Sequence, residues 1–211
     1  MNRRALIQSM LAINNFDGPS RYVRTTAADF DMSGNYIGTK EYIILPSNKT
    51  IGYKITNINV KGVATNGNYL INTQNMFRGN NSLYLELDYL DTSNVISMSS
   101  MFQDSKATTL DLSNFDTSNV TDMNFMFRSS QATTLDLSSF DTSNVIDMSG
   151  MFYGSQATTL DLSSFDTSNV EYMNNMFRDS KATTGYAITL TDADKFNNSG
   201  GKPASLTFVV K

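Results

Sequence analysis

The stretch Thr109-Leu-Asp-Leu-Ser-Asn-Phe-Asp-Thr-Ser-Asn-Val-Thr-Asp-Met-Asn-Phe-Met-Phe127 returns as residues 134–152 and again as 159–177, and a looser copy runs from Tyr84 to Phe102. Its Met-Phe pair recurs at Met76, Met101, Met126, Met151 and Met176, always 25 residues apart. Asp-Thr-Ser-Asn-Val begins at Asp91, Asp116, Asp141 and Asp166 with the same step. A fixed period this short is the signature of a solenoid, in which each unit is one supersecondary element stacked on the last.

Within a unit, Leu110 and Leu112 alternate with Thr109, Asp111 and Ser113, the period-2 pattern of a short strand with one buried face. Phe115 adds a third apolar anchor, and Asp116-Thr-Ser-Asn119 is a cluster of turn and N-cap formers. Val120, Met123, Met126 and Phe127 follow at three- and four-residue spacing, which predicts one or two turns of helix with an apolar face. Ser168 and Glu171 form a capping-box pair that supports a helix start in the last full copy. A single unit cannot bury that apolar face alone. Stacking aligns Leu85, Leu110, Leu135 and Leu160 in one column, Leu87, Leu112, Leu137 and Leu162 in a second, and Leu90, Phe115, Phe140 and Phe165 in a third. The strands are expected to pair in parallel, about 4.8 Å apart, with Met and Phe on the opposite wall.

The pattern L-x-L-x-x-F-D-T-S-N-V-x-x-M-x-x-M-F resembles the BspA-like leucine-rich repeats, a bacterial class of the same 25-residue period, over about residues 70–184. Those repeats occur in surface proteins of Firmicutes, Mollicutes and Bacteroidetes and in some of their phages. The resemblance implies an α/β repeat solenoid, a leucine-rich-repeat-like stack with a narrow parallel β-sheet. It also implies an extended binding or adhesion surface and no reaction. Family members on cells usually carry a signal peptide and an anchor. Here Arg3 and Arg4 precede an apolar run interrupted by Gln8 and Ser9, with no small-x-small site after it, which we read as a retained amphipathic helix over residues 2–14.

Three parts are expected: a helix and β cap over residues 1–69, the repeats over 70–184, and a β cap over 185–211. In the first, Glu41–Leu45 and Thr50–Val60 read as the arms of a β-hairpin, with Asn66-Gly67 as a further turn. The repeat fails at Gly185, where the column calls for Leu. Tyr186–Leu190 and Ser205–Lys211 then read as a closing C-terminal β-hairpin.

The net charge of −4 is unevenly divided. Residues 1–81 hold nine Lys/Arg against four Asp/Glu, and residues 82–184 hold four against fourteen. This asymmetry predicts a basic docking segment, with Arg3, Arg4, Arg21 and Arg24 meeting other proteins of an assembly, and repeats that do not bind nucleic acid. With no Cys and no His, zinc sites, thiol chemistry and the usual triads are excluded. Asp111, Asp136 and Asp161 line up with Glu86 at strand spacing, which overlaps the carboxylate separation of retaining glycosidases. The same row arises from copying one exposed Asp along a parallel sheet, so it reads as a solvated ladder, with no enzyme and no cofactor. Asp29-Phe-Asp-Met-Ser-Gly34 resembles the opening of a calcium loop, but Lys40 stands at the twelfth place where Glu is needed, which favours a plain turn without metal. No apolar stretch is long enough to span a membrane.

The expected ligand surface is the exposed sheet face, Glu86, then Thr109, Asp111 and Ser113, then Thr134, Asp136 and Ser138, then Thr159, Asp161 and Ser163, facing a host-surface glycan or protein. The competing surface is the loop edge with Arg78, Arg128, Tyr153 and Arg178. Together these readings point to a non-enzymatic adhesion protein. The expected setting is a bacteriophage virion, as a fibre, tail or head accessory, with a bacterial surface adhesin as the alternative.

Overall fold

A computed structural model of the chain describes residues 21–46, 53–56, 59–65 and 70–211. The expected helix over 2–14, Arg3, Arg4 and the Asn66-Gly67 turn lie outside the described residues.

The fold is a solenoid of short parallel strands. In chain order these are β1 (Val23–Arg24), β2 (Tyr42–Ile44), β3 (Gly62–Ala64), β4 (Tyr84–Leu85), β5 (Thr109–Leu110), β6 (Thr134–Leu135), β7 (Thr159–Leu162), β8 (Thr184–Ala187) and β9 (Thr207–Val210). They fall into three sheets ordered β1-β2-β3, β4-β5-β6 and β7-β8-β9, and every pairing between them is parallel. Thr109 pairs with Thr134 and Leu110 with Leu135, so the register is one repeat per coil. A second ladder of parallel bridges runs through Asn72, Ser97, Asp122, Asp147 and Tyr172 on another side of the coil.

The half of each repeat expected to be helical is not helical. Its N–H groups divide into two alternating sets. Val120 N–H donates to Thr117 O at 2.9 Å and Met126 N–H to Met123 O at 3.2 Å, closing tight turns. Met123, Phe125 and Phe127 N–H donate instead to Asp147, Ser149 and Met151 of the next coil, each at 2.9 Å. Two left-handed residues per repeat, for example Phe125 (φ 54°) and Ser129 (φ 53°), rule out a continuous helix. The three-and-four spacing of Val120, Met123, Met126 and Phe127 therefore reflects consecutive turns, and all four are fully buried. Ser168 and Glu171 form no capping box: Ser168 N–H donates to the Asp166 carboxylate and Glu171 N–H to Ile146 O.

The core is a set of side-chain columns. The rings of Phe77, Phe102, Phe127, Phe152 and Phe177 stack almost parallel at 5.6, 5.7, 5.7 and 5.9 Å between centroids. Leu137 and Leu162 are buried in the second leucine column, whereas Leu135 in the first is only partly covered.

Both expected hairpins are replaced by parallel geometry. Tyr42–Ile44 pairs with Gly62–Ala64 in parallel, and Lys54 bridges Asn35 instead. A pair of adjacent solenoid coils cannot form a hairpin, because the chain runs once around the coil between them. At the other end β8 and β9 are parallel, joined by α1 (Leu190–Asn197). The Thr189 hydroxyl caps that helix by accepting from Asp192 N–H, and Ala193 and Phe196 are its buried anchors. No helix among the described residues is long and apolar enough to cross a membrane.

Candidate ligand-binding face

The Asp-Thr-Ser-Asn run is used within the fold. Thr117 is buried, donates its hydroxyl to Asp141 O at 2.8 Å, and accepts from Asp141 N–H at 2.8 Å. Thr142 makes the same pair of bonds with Asp166 at 2.9 and 2.8 Å, and Thr92 with Asp116 at 3.0 and 2.9 Å. Asn119, Asn144 and Asn169 donate their amides backward to Ser93, Ser118 and Ser143 carbonyls at 2.9, 2.8 and 2.7 Å. The Asp of each run accepts from the hydroxyl and N–H of the Ser two places on, and these bonds hold the Asp141 and Asp166 carboxyls below the usual range. The motif thus satisfies backbone groups between coils where no strand ladder runs.

The strand-face row is partly built the same way. Asp111 Oδ1 accepts from Ser113 N–H at 3.1 Å and its hydroxyl at 2.6 Å. Asp136 with Ser138 and Asp161 with Ser163 repeat this geometry at 3.1 and 2.7 Å. The Ser138 bonds lower the Asp136 pKa. For Asp161, burial raises the value, but bonds from Lys211 and Ser163 outweigh it, and the net direction is down. Lys211 Nζ reaches Asp161 Oδ2 at 2.6 Å. Oδ2 of Asp111 and of Asp136 accepts no hydrogen bond among the described residues. Thr109, Thr134 and Thr159 stand exposed beside this row, paired Thr109 to Thr134 by register.

At the N-terminal end this face changes character. Tyr22, Ile44 and Ala64 form a second, small apolar cluster, joined by Tyr42 and Tyr89. Tyr22 meets the edges of Tyr42 and Tyr89 at 5.4 Å each. Gly62 is required beneath them, because a Cβ there would stand 2.4 Å from the Tyr22 hydroxyl oxygen. Glu86 is not an open ligand group. It carries a two-pronged ion pair with Arg21, whose guanidinium also lies 4.5 Å from the Tyr42 ring centroid. Arg21 therefore joins the N-terminal coil to the first repeat. Asp31 and Asp29 are likewise used locally. Asp31 accepts from Ser33 N–H, Asn35 N–H and the Asn35 amide, and Asp29 accepts from Thr26 N–H. The calcium-like string is a hydrogen-bonded turn with Gly34 at φ 79°.

The loop edge holds an arrangement that sequence spacing did not reveal. Arg128 lies 5.3 Å from the Phe125 ring centroid and 5.0 Å from that of Tyr153, and Arg178 lies 5.8 Å from Tyr153. Phe125 occupies a left-handed position held elsewhere by Asn75, Ser100, Gly150 and Asn175, a conformation costing a bulky residue about 1–3 kcal/mol. The signal was present in the sequence as the departure of Phe125 from its column.

The structure defines the class: a parallel repeat solenoid with a polar, hydroxyl- and carboxylate-bearing strand face. Residues 71–190 match the family described as Mycoplasma protein of unknown function, DUF285. That match spans more than half of the chain, and the chain belongs to this family. No curated protein and no solved structure matches it.

Proposed function

We propose that the protein is a non-enzymatic binding protein that holds a repeating glycan along its strand face. One observation carries this reading: Asp111 and Asp136 are each fixed through Oδ1, while Oδ2 accepts no hydrogen bond among the described residues, beside exposed Thr hydroxyls at the same register. Fixed acceptors and donors repeated about every 4.8 Å suit a polyol with its own repeat, since weak bonds along one chain add by avidity. Ser138 lowers the Asp136 pKa, whereas a general acid needs a raised one.

The setting we favour is a bacteriophage virion, with the solenoid directed toward the host surface and the N-terminal part joined to other virion proteins. A bacterial surface adhesin is the second reading, favoured by the family description, which names Mycoplasma. Searching purified particles for the protein separates the two. The binding claim is tested with the triple variant Asp111→Asn, Asp136→Asn, Asp161→Asn against isolated host-wall glycans. Asn preserves the turn acceptor and turns the outer oxygen into a donor. We expect at least about tenfold weaker binding with a melting temperature lowered only slightly, through loss of the Lys211 tie at Asp161. Unchanged affinity would remove the strand face from consideration.

A further inference from the structure

The loop edge departs from its own repeat in one place, across coils three to five. The position before each Met-Phe is Asn75, Ser100, Phe125, Gly150 and Asn175, and all five have positive φ. Asn, Ser and Gly are small, and Asn and Gly suit that conformation, whereas Phe is strained in it. The neighbouring coil accommodates the ring. Gly150 sits directly beside it, and a Cβ there would stand 2.3 Å from Phe125 Cε1. Three positions on, the next column reads Arg78, Gln103, Arg128, Tyr153 and Arg178. Nothing in the solenoid needs this combination, because the other coils form without it.

The result is a ladder of Phe125, Arg128, Tyr153 and Arg178. Stacking on rings uses the flat face of a guanidinium and leaves its in-plane N–H donors for an anion. Arg128 has no carboxylate within ion-pair distance and no side-chain hydrogen bond among the described residues. Arg178 has one loose partner, Asp179, at 3.7 Å. These two arginines are half of the four cations in residues 82–184, set among fourteen acidic groups. Elsewhere that acidity repels anions.

From this edge we propose a second binding site, distinct from the strand face, that takes an anionic glycan-type polymer, one bearing a carboxylate or phosphate on each unit. Arg128 and Arg178 are two coils apart, roughly 10 Å at strand spacing, with Tyr153 between them. That separation lets the two guanidiniums pair with every second charge of such a chain. Strain at Phe125 is retained because its ring fixes one side of Arg128.

The test uses the full chain with four probes: polygalacturonate, its fully methyl-esterified form, poly(glycerol phosphate) and poly-L-glutamate. We expect binding to polygalacturonate or to poly(glycerol phosphate), which identifies the anion source, and little to the neutral ester or to polyglutamate. The double variant Arg128→Ala, Arg178→Ala should weaken it about tenfold or more. The control pair Lys106→Ala, Lys181→Ala and the strand-face triple Asn variant should not. Phe125→Asn should also weaken binding while raising the melting temperature, since Asn fits the position. Equal binding of the ester, equal losses in the lysine control, or no binding to either charged glycan would overturn the proposal. Preferential capture of polyglutamate, lost with the arginines, would overturn it in favour of an acidic peptide. A lowered melting temperature for Phe125→Asn would show the ladder to be structural and overturn it as well.

Discussion

The coils between Thr109 and Phe177 and the closing coil from Thr184 to Val210 share one backbone geometry but not one sequence. In the first set, each ring rests on an identical ring, as Phe127 does between Phe102 and Phe152. In the second, the column changes partner. Gly185 stands opposite Leu160 in register, and Phe208 of the next strand fills the space a leucine would take. Phe177 then meets Phe196 edge-on at 89° and Phe208 at 43°, which ends the parallel stack. Identical residues are required where a coil must fit a copy of itself on both sides. Where one side is a cap, complementarity in volume replaces identity, and α1 covers what a further repeat would have covered.

The largest test of that contrast is Phe127→Ala, which removes a fully buried ring from the middle of the stack. A loss of about 3–5 kcal/mol in chemical denaturation is expected. The most discriminating test is Gly185→Leu, which restores the repeat consensus yet should destabilise by about 1–3 kcal/mol through overpacking against Phe208. Adding Phe208→Ala should recover part of that loss, measured as a coupling energy in a double-mutant cycle. Stabilisation by Gly185→Leu alone would break the comparison. Thr142→Val keeps the shape of a buried side chain but removes the bonds with Asp166, and a cost of about 1–3 kcal/mol is expected. Thr134→Val, on the exposed face, should be near neutral.

The smallest effect belongs to the tie between the two regions, Lys211 with Asp161. The folded pKa of Asp161 is lowered, so its share is present above the ordinary carboxylate range and is lost as pH falls through the lowered value. That of Lys211 is raised, so its share is present below the ordinary lysine range and is lost as pH rises through the raised value. Both groups are well exposed, so Lys211→Ala should lower the melting temperature only slightly at neutral pH, and salt should erase the difference.

The period, the parallel register and most of the core columns were legible because they depend on which residues repeat. The Leu112 and Phe115 columns are buried as the alternation implies. The helical reading failed because three-and-four spacing is shared by a helix and by consecutive turns. The deciding information, a positive φ at Ser100, Phe125 and Asn175, lies in the backbone. The terminal coils read as hairpins in the sequence because a strand run does not disclose whether its partner is antiparallel. For α1, Thr189 with Asp192 was a usable start signal. On the candidate face, the exposed Thr and Asp rows were visible, but Glu86 was already taken by Arg21 from outside the repeats, a contact no period encodes. The residues of the Arg128–Tyr153 ladder were visible as departures from their columns, but their stacking across coils was not.

The threonine staples also bear on how such a chain changes over generations. Thr92, Thr117 and Thr142 each reach only to the coil immediately after. Excision or duplication of one whole unit therefore leaves every remaining staple with a partner of the same kind. Gene slippage by a unit would alter the molecule's reach by about 4.8 Å and leave the staple pattern unchanged. Length becomes a heritable dial with fine, equal clicks, and the Gly185 junction travels with the end wherever the dial stops.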